Sequence, residues 1–157
     1  MAYIRNAIIM FTVSACLSVT CSCSRDAMSQ EMDEALKAAD NFAGCYFNYE
    51  LEATKDYCTP ESVVWLSFLA SNINQEDIDI INEQDKPATV ETKDVEMTSD
   101  TTAVAICEVR NFLKLDTLGR PGEIASKALY TIPLVKRDGR WLVRMEGLLQ
   151  SEKQNHD

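Results

Sequence analysis

The side chains that most often carry acid–base or metal chemistry near neutral pH are almost absent from this chain. His156 is the only histidine, and it lies in the polar segment from Ser151 to Asp157. Because histidine is the commonest general acid or base and a frequent metal ligand, most hydrolytic mechanisms and zinc sites are excluded. The chain also lacks a glycine-rich phosphate loop and a serine nucleophile elbow. No cofactor is expected, and catalysis would depend on carboxylates and tyrosines.

A candidate pocket can be assembled from aromatic and charged side chains on different predicted elements. Its members are Tyr46, Glu108, Arg110, Tyr130 and Trp141. Alternation places Glu108 and Arg110 on one face of a predicted strand. The same face carries Val104, Ile106 and Phe112. The functional interpretation is an ion pair at the mouth of a pocket, whereas the favoured alternative is a salt bridge on a solvated face with the aromatic residues in the core.

Neither the acidic residues nor the cysteines of the body form a recognisable metal or redox site. The carboxylates between Glu91 and Asp100 lack the oxygen-ligand spacing of a calcium loop and are more typical of a solvated strand edge. The body keeps three cysteines, without a paired-cysteine motif: Cys45, Cys58 and Cys107. A Cys45–Cys58 disulfide is conceivable in an oxidising compartment, but the favoured alternative is buried free thiols.

Residues 1–22 have the order of a signal peptide. Arg5 supplies the positive end, an apolar run follows from Ala7 to Val19, and no acidic residue precedes Asp26. The run contains Thr12, Ser14 and Ser18 and is shorter than the roughly 20 residues of a spanning helix. We therefore expect cleavage rather than a transmembrane anchor.

The small residues around the N-terminal cysteines resemble a bacterial lipobox, whose cysteine receives a diacylglyceryl group before cleavage. We expect lipidation, for example with palmitate, at Cys23, with Cys21 and then Cys16 as alternatives. Two or three acyl chains hold a protein firmly, at about 0.8 kcal/mol per buried methylene. The expected location is therefore the bacterial cell envelope, with the protein anchored on the periplasmic face or at the cell surface.

The remaining chain has the length of one domain, which we place at residues 28–150, between a linker at 23–27 and a flexible tail at 151–157. Without Arg5, 14 basic residues face 25 acidic ones, and the net charge is near −11. This balance disfavours nucleic acid and anionic lipid headgroups as direct partners.

A change of hydrophobic period near Pro87 divides the domain into a helical half and a strand half, which predicts an α+β fold. Helices are expected over residues 28–47 and 51–57, from Thr59-Pro60-Glu61 onward, and after Asn74 as N-cap. Strands are expected over 88–97, 102–113, 124–136 and 141–145, with Asp138-Gly139 as a hairpin turn. They form a curved, four-stranded antiparallel sheet on which the helices pack.

This order resembles the nuclear transport factor 2-like (cystatin-like cone) superfamily. The resemblance rests on Ala43-Gly44-Cys45-Tyr46-Phe47-Asn48 ending the long first helix, on the Thr59-Pro60-Glu61 step, and on the closing hairpin at 136–143. Small bacterial lipoproteins with a lumazine-binding-like or uncharacterised domain look similar. The superfamily includes both enzymes and binding modules, so the fold alone does not select a chemistry.

The function we expect is that of a lipid-anchored envelope protein that binds a small hydrophobic ligand or a protein partner, without catalysis. One alternative is a carboxylate-dependent isomerase or dehydratase, which needs an Asp or Glu with a raised pKa inside the cone. Another is an acidic inhibitor or immunity-like protein that meets a basic partner. The resemblance also implies a homodimer through the open face of the sheet.

Overall fold

A computed structural model describes residues 22–115 and 120–152 of the chain, with side chains from Arg25 onward. Four α-helices precede four strands, so the predicted α+β class is confirmed. The helices are α1 (Ser22–Phe47), α2 (Leu51–Thr54), α3 (Val63–Asn72) and α4 (Gln75–Glu83). Single 3-10 turns at Lys55–Tyr57 and Pro60–Ser62 connect α2 to α3. No helix in these ranges has the length and hydropathy to cross a bilayer.

The long helix α1 is buried against the sheet in its C-terminal half. Its buried positions recur every three or four residues, as a single apolar face requires; they are Ala35, Ala39, Phe42, Ala43, Tyr46 and Phe47. Residues 25–30 are all exposed. The helix nevertheless includes 23–27, the expected linker, because that segment contains no Gly or Pro to interrupt it.

The sheet is antiparallel with strand order β1-β2-β3-β4. Its strands are β1 (Thr89–Ser99), β2 (Thr102–Lys114), β3 (Glu123–Arg137) and β4 (Arg140–Val143). Asp138 and Gly139 turn between β3 and β4 with φ values of 51° and 77°, as the Asp-Gly pair predicts. The helices cover one side of the sheet, which we call the inner face, and leave the opposite side, the outer face, uncovered in the described chain.

The strand β2 changes its alternation at Asn111, whose φ is 55°. Val109 and Phe112 are consequently both buried, and the Phe112 ring contacts Phe47 of α1. The expectation that Phe112 shares a face with Glu108 and Arg110 is therefore wrong. Asparagine tolerates the left-handed region better than most residues, which explains how the strand can bend here.

Helix α4 is fixed at its start by a buried carboxylate. Asn74 caps the helix by accepting from the Asp77 amide (2.9 Å), and Asp77 accepts from the Asn74 amide in return (3.0 Å). The second oxygen of Asp77 accepts from the Gly122 amide (2.7 Å), so the helix also holds the end of the β2–β3 connection. This reciprocal box satisfies two otherwise unpaired amides.

The segment after β4 returns along β3 rather than leaving the domain. The Glu152 amide donates to the Leu129 carbonyl (2.9 Å), and Thr131 Oγ1 donates to the Glu152 carboxylate (2.8 Å). The tail that was expected to begin at Ser151 is thus bound to the sheet as far as Glu152. Residues 153–157, which contain His156, and residues 1–21, which contain Cys16 and Cys21, lie outside the described chain.

Candidate functional site

A cavity of about 190 Å³ opens where the C-terminal end of α1 meets the sheet. Its walls come from α1 and the turn after it, α3, β2 with the residue after it, β3, and the segment after β4. The lining residues are Tyr46, Phe47, Tyr49, Leu69, Phe112, Leu113, Lys114, Leu115, Tyr130, Leu148, Leu149, Gln150 and Ser151. We call this space the aromatic cavity because five of these residues carry aromatic rings.

The Phe47 ring is the centre of the aromatic wall. Its centroid lies 4.5 Å from that of Tyr130, 5.3 Å from Phe112 and 5.1 Å from Tyr46. The rings meet at tilted or edge-on angles, which is the arrangement that aromatic quadrupoles favour. Three separate elements thus hold these rings in a defined arrangement.

The three tyrosines of the cavity differ in how their hydroxyls are engaged. Tyr49 donates to the Leu113 carbonyl (2.9 Å). Burial raises the pKa of Tyr46 to about 12, partly offset by a hydrogen bond from the backbone of Leu149. Burial also raises the pKa of Tyr130 to about 12. These phenols are consequently neutral at physiological pH.

Tyr49 reaches the cavity from a left-handed backbone conformation, with φ at 60°. The neighbouring Asn48 supports this turn by donating to the carbonyls of Gly44 (2.8 Å) and Ala88 (3.2 Å). Asn48 also accepts from the Ala88 amide (2.9 Å) and so joins the end of α1 to the start of the sheet. An aromatic residue rarely adopts such a φ, and the sequence gives no signal for it.

Of the five predicted pocket residues, the structure brings Tyr46 and Tyr130 together in the cavity. Trp141 lies at the β3–β4 hairpin, where its Nε1 donates to Glu31 of α1 (3.0 Å). Lys136 binds the same carboxylate and lies 5.9 Å from the Trp141 ring centre. Trp141 therefore covers the hairpin and joins it to α1, and the pocket assignment is wrong for this residue.

Glu108 and Arg110 also lie away from the cavity, on the outer face. Glu108 is 6% exposed and pairs with Lys127 (3.0 Å), with Arg110, and more loosely with Lys93 (3.8 Å). Hydrogen bonds from Lys127 and Arg110 lower the pKa of this carboxyl to about 2. The pocket assignment is therefore also wrong for both residues, and the alternative of a sheet-face salt bridge describes them.

The outer face combines this charged cluster with partly exposed apolar side chains. Cross-strand partners in the register share a face, and this gives an apolar group of Val104, Ile106, Leu129, Pro133, Val135 and Leu142. Asp94 and Glu96 of β1 lie opposite Ile106 and Val104. Acidic and basic groups thus flank an apolar centre.

The cysteines do not form a bridge in the structure. Cys45, Cys58 and Cys107 are free thiols, and burial raises the pKa of each. A raised pKa keeps a thiol protonated and unreactive near neutrality. Within residues 25–115 and 120–152, no group of His, Cys, Asp and Glu is arranged to hold a metal ion.

Sequence reasoning missed Tyr49 and the whole wall formed by Leu148, Leu149, Gln150 and Ser151. The Leu148-Leu149 pair is the one signal that a segment after β4 has apolar surface to bury. Nothing local indicates that this surface closes a cavity. The structure also leaves every carboxylate of the described chain outside the lining of that cavity.

No protein-family model matches this chain, and no curated protein matches it in sequence. Among solved structures, it is similar to a nuclear transport factor 2-like protein of unknown function from Shewanella oneidensis MR-1, with 12% identity and a TM-score of 0.44. That match covers 72% of this chain and 93% of the other.

A second similar structure is a nuclear transport factor 2-like protein involved in plasmid conjugation, with 14% identity, a TM-score of 0.38, and coverage of 80% and 50%. A third, from Xanthomonas campestris, is described as a calcium/calmodulin dependent protein kinase II association domain. It has 16% identity, a TM-score of 0.34, and coverage of 92% and 96%. At such identities and TM-scores, these similarities do not indicate what the present chain binds.

Proposed function

We propose that this chain is a non-enzymatic, lipid-anchored envelope protein whose aromatic cavity binds a small ligand. The observation that carries the proposal is the cavity itself. It has aromatic walls from three elements, a volume of about 190 Å³, and no carboxylate among its described lining residues. Concave, mostly apolar spaces with a few polar groups are the usual form of small-molecule sites.

The size of the cavity suits a small ring compound. An apolar protein cavity of about 150 Å³ is large enough to bind benzene. The aromatic cavity is somewhat larger, at about 190 Å³. A single substituted ring is therefore of a size that this space can hold.

The isomerase or dehydratase alternative is less favoured. It needs a carboxylate base in contact with the substrate. Among the described lining residues, the one that carries a charge at neutral pH is Lys114, and it is exposed. The described carboxylates with a shifted pKa, Glu31, Glu61 and Glu108, all have it lowered rather than raised.

Ligand binding can be tested with para-xylene as an apolar single-ring probe. We expect calorimetric titration of the full chain in phospholipid nanodiscs to give saturable binding after subtraction of protein-free nanodiscs. Leu149→Trp should abolish that binding, because the indole would fill the cavity from its C-terminal wall. Val64→Trp is the matched control, since Val64 is 61% exposed on α3. Unchanged binding in Leu149→Trp would contradict the proposal.

The membrane attachment is supported by the order of residues 1–22 and by the position of Cys23 at the start of α1. Mass spectrometry of protein extracted from membranes should find a chain that begins at a diacylglyceryl-modified Cys23. Cys23→Ala should lose the modification and the membrane association, whereas Cys21→Ala should keep both. Recovery of the uncleaved chain from the soluble cytosol would contradict this part.

For the outer face we propose a second copy of this chain as the occupant. The apolar group centred on Ile106 is flanked by Asp94 and Glu96 on one side and by Lys127 and Arg110 on another. A twofold interface presents the same patch from both subunits, so a patch carrying both signs of charge can pair with itself.

Light scattering should find a dimer for the native chain and a monomer for Ile106→Glu. A dimer should persist in the control Val64→Glu, and a monomeric native chain at high concentration would exclude the interface.

A further inference from the structure

Tyr130 lines the aromatic cavity, and its hydroxyl has no hydrogen-bond partner in the described chain. The residue is 5% exposed. Its ring contacts Phe47 and Phe112, but no side-chain or backbone group of the described chain bonds to its oxygen. A phenolic hydroxyl that loses water without gaining a partner costs free energy, so such a group needs an explanation.

The cavity provides that explanation. Every fully buried side-chain oxygen and nitrogen in the described chain has a hydrogen-bond partner. The unpartnered hydroxyl of Tyr130 must therefore reach open space, and the aromatic cavity is the space that Tyr130 lines. By contrast, Tyr49 bonds to Leu113 and the Tyr46 hydroxyl faces the backbone of Leu149. The Tyr130 hydroxyl is thus available to a ligand.

The available hydroxyl can act both as a donor and as an acceptor. A neutral phenol donates one hydrogen bond and accepts others. A tyrosine with its ordinary pKa of 10.0 is already neutral at physiological pH, and burial raises the pKa of Tyr130 further, to about 12. The rings of Phe47 and Phe112 lie beside the Tyr130 ring and favour a flat apolar body on the ligand.

We propose that the Tyr130 hydroxyl recognises a neutral oxygen on the ligand, and that the ligand is a single-ring aromatic compound of the phenol class. This inference rests on the proposed binding function and names the chemistry of the ligand. The groups in contact with the Tyr130 ring are the apolar rings of Phe47 and Phe112, and the lining cation Lys114 is exposed. A charged oxygen beside Tyr130 would therefore lose hydration without compensation.

Two probes separate recognition of the oxygen from general binding: para-cresol and para-xylene, which differ by a hydroxyl in place of one methyl. Each is titrated into the native full chain, Tyr130→Phe and Tyr46→Phe in phospholipid nanodiscs. Tyr130→Phe should weaken para-cresol binding roughly threefold to tenfold, the effect of one net hydrogen bond. Its affinity for para-xylene should stay within about twofold, because the phenyl ring remains.

Tyr46→Phe is the matched control, since it removes a hydroxyl that belongs to the same cavity and faces the backbone of Leu149. Its ratio of para-cresol to para-xylene affinity should equal that of the native chain. Equal effects of Tyr130→Phe on both probes would overturn the recognition of oxygen and leave the binding function standing. Binding of neither probe to the native chain would overturn both.

Discussion

Glu108 and Tyr130 lie one register position apart on neighbouring strands, on opposite faces of the sheet. Glu108 pairs with Leu129, and the adjacent Cys107 pairs with Tyr130. The two residues are almost equally buried, at 6% and 5% exposure. Glu108 bonds to Lys127 and Arg110, with Lys93 nearby, whereas the Tyr130 hydroxyl has no bond in the described chain.

This difference separates a structural polar group from a candidate binding group. Burial alone does not distinguish them, because both side chains have lost most of their contact with bulk water. The partners do distinguish them, since a carboxylate surrounded by cations is satisfied within the fold. A hydroxyl that opens into a cavity is satisfied only by water or a ligand.

The largest expected effect tests whether the inner face carries most of the stability. Phe42 of α1 is fully buried, and its ring centre lies 5.4 Å from that of Tyr46. Phe42→Ala should lower the free energy of unfolding by about 3–5 kcal/mol, because it leaves a void in the core. Urea denaturation measures the change. Phe68→Ala, at a site 50% exposed on α3, should cost less than about 1 kcal/mol; an equal loss in both would contradict this assignment.

A smaller effect is expected on the outer face, and it depends on pH. Folding lowers the pKa of Glu108 from 4.5 to about 2. Its ionised form therefore stabilises the fold above about pH 4.5, and this contribution is lost as the pH falls toward 2. Glu108→Gln should lower the urea midpoint at pH 7 and make the stability less dependent on pH in this window.

Glu146→Gln is the control for that experiment. Glu146 pairs with Arg144 (2.7 Å), but both side chains are more than half exposed. Exposed pairs contribute little, so the midpoint should barely change. If the stability of Glu108→Gln still falls steeply at acid pH, the loss comes from another ion pair. The first pair to test is Glu61 with Arg137, because the pKa of Glu61 is also lowered to about 2.

The smallest expected effect on stability at pH 7 concerns the Tyr130 hydroxyl. Tyr130→Phe should leave the urea midpoint at pH 7 within error, because the removed hydroxyl has no partner in the fold. Above pH 10 the native chain should lose stability, since the unfolded tyrosines ionise while burial holds the pKa of Tyr46 and Tyr130 near 12. Tyr130→Phe should lose less stability there. A clear destabilisation at pH 7 would mean that the hydroxyl has a structural partner.

Most of the fold was predictable because its signals are local. Hydrophobic period, the Asn74 cap and the Asp138-Gly139 turn all act within a few residues, and the elements they predict agree with the structure to within a few positions. The first helix begins earlier than expected, at Ser22 rather than Met28. Helix propensity gives no stop signal in that stretch.

The site was less predictable because its determinants are long-range. Tyr46 and Tyr130 were found as aromatic residues on elements that had to pack together. Tyr49 and the Leu148–Ser151 wall depend on a left-handed turn and on a segment that returns to β3, and neither leaves a periodic pattern. The alternation along β2 indicates that Glu108 and Arg110 share a face, but it does not indicate which face the helices cover. The prediction that both residues belong to a pocket is therefore wrong.

The helix α1 also sets a distance within the molecule. A helical rise of about 1.5 Å per residue puts the backbone of Cys23 about 36 Å from that of Phe47 at the cavity. The exposed first turns extend the helix beyond the part that is buried against the sheet. Anything attached at Cys23 is therefore held about this far along the helix from the aromatic cavity.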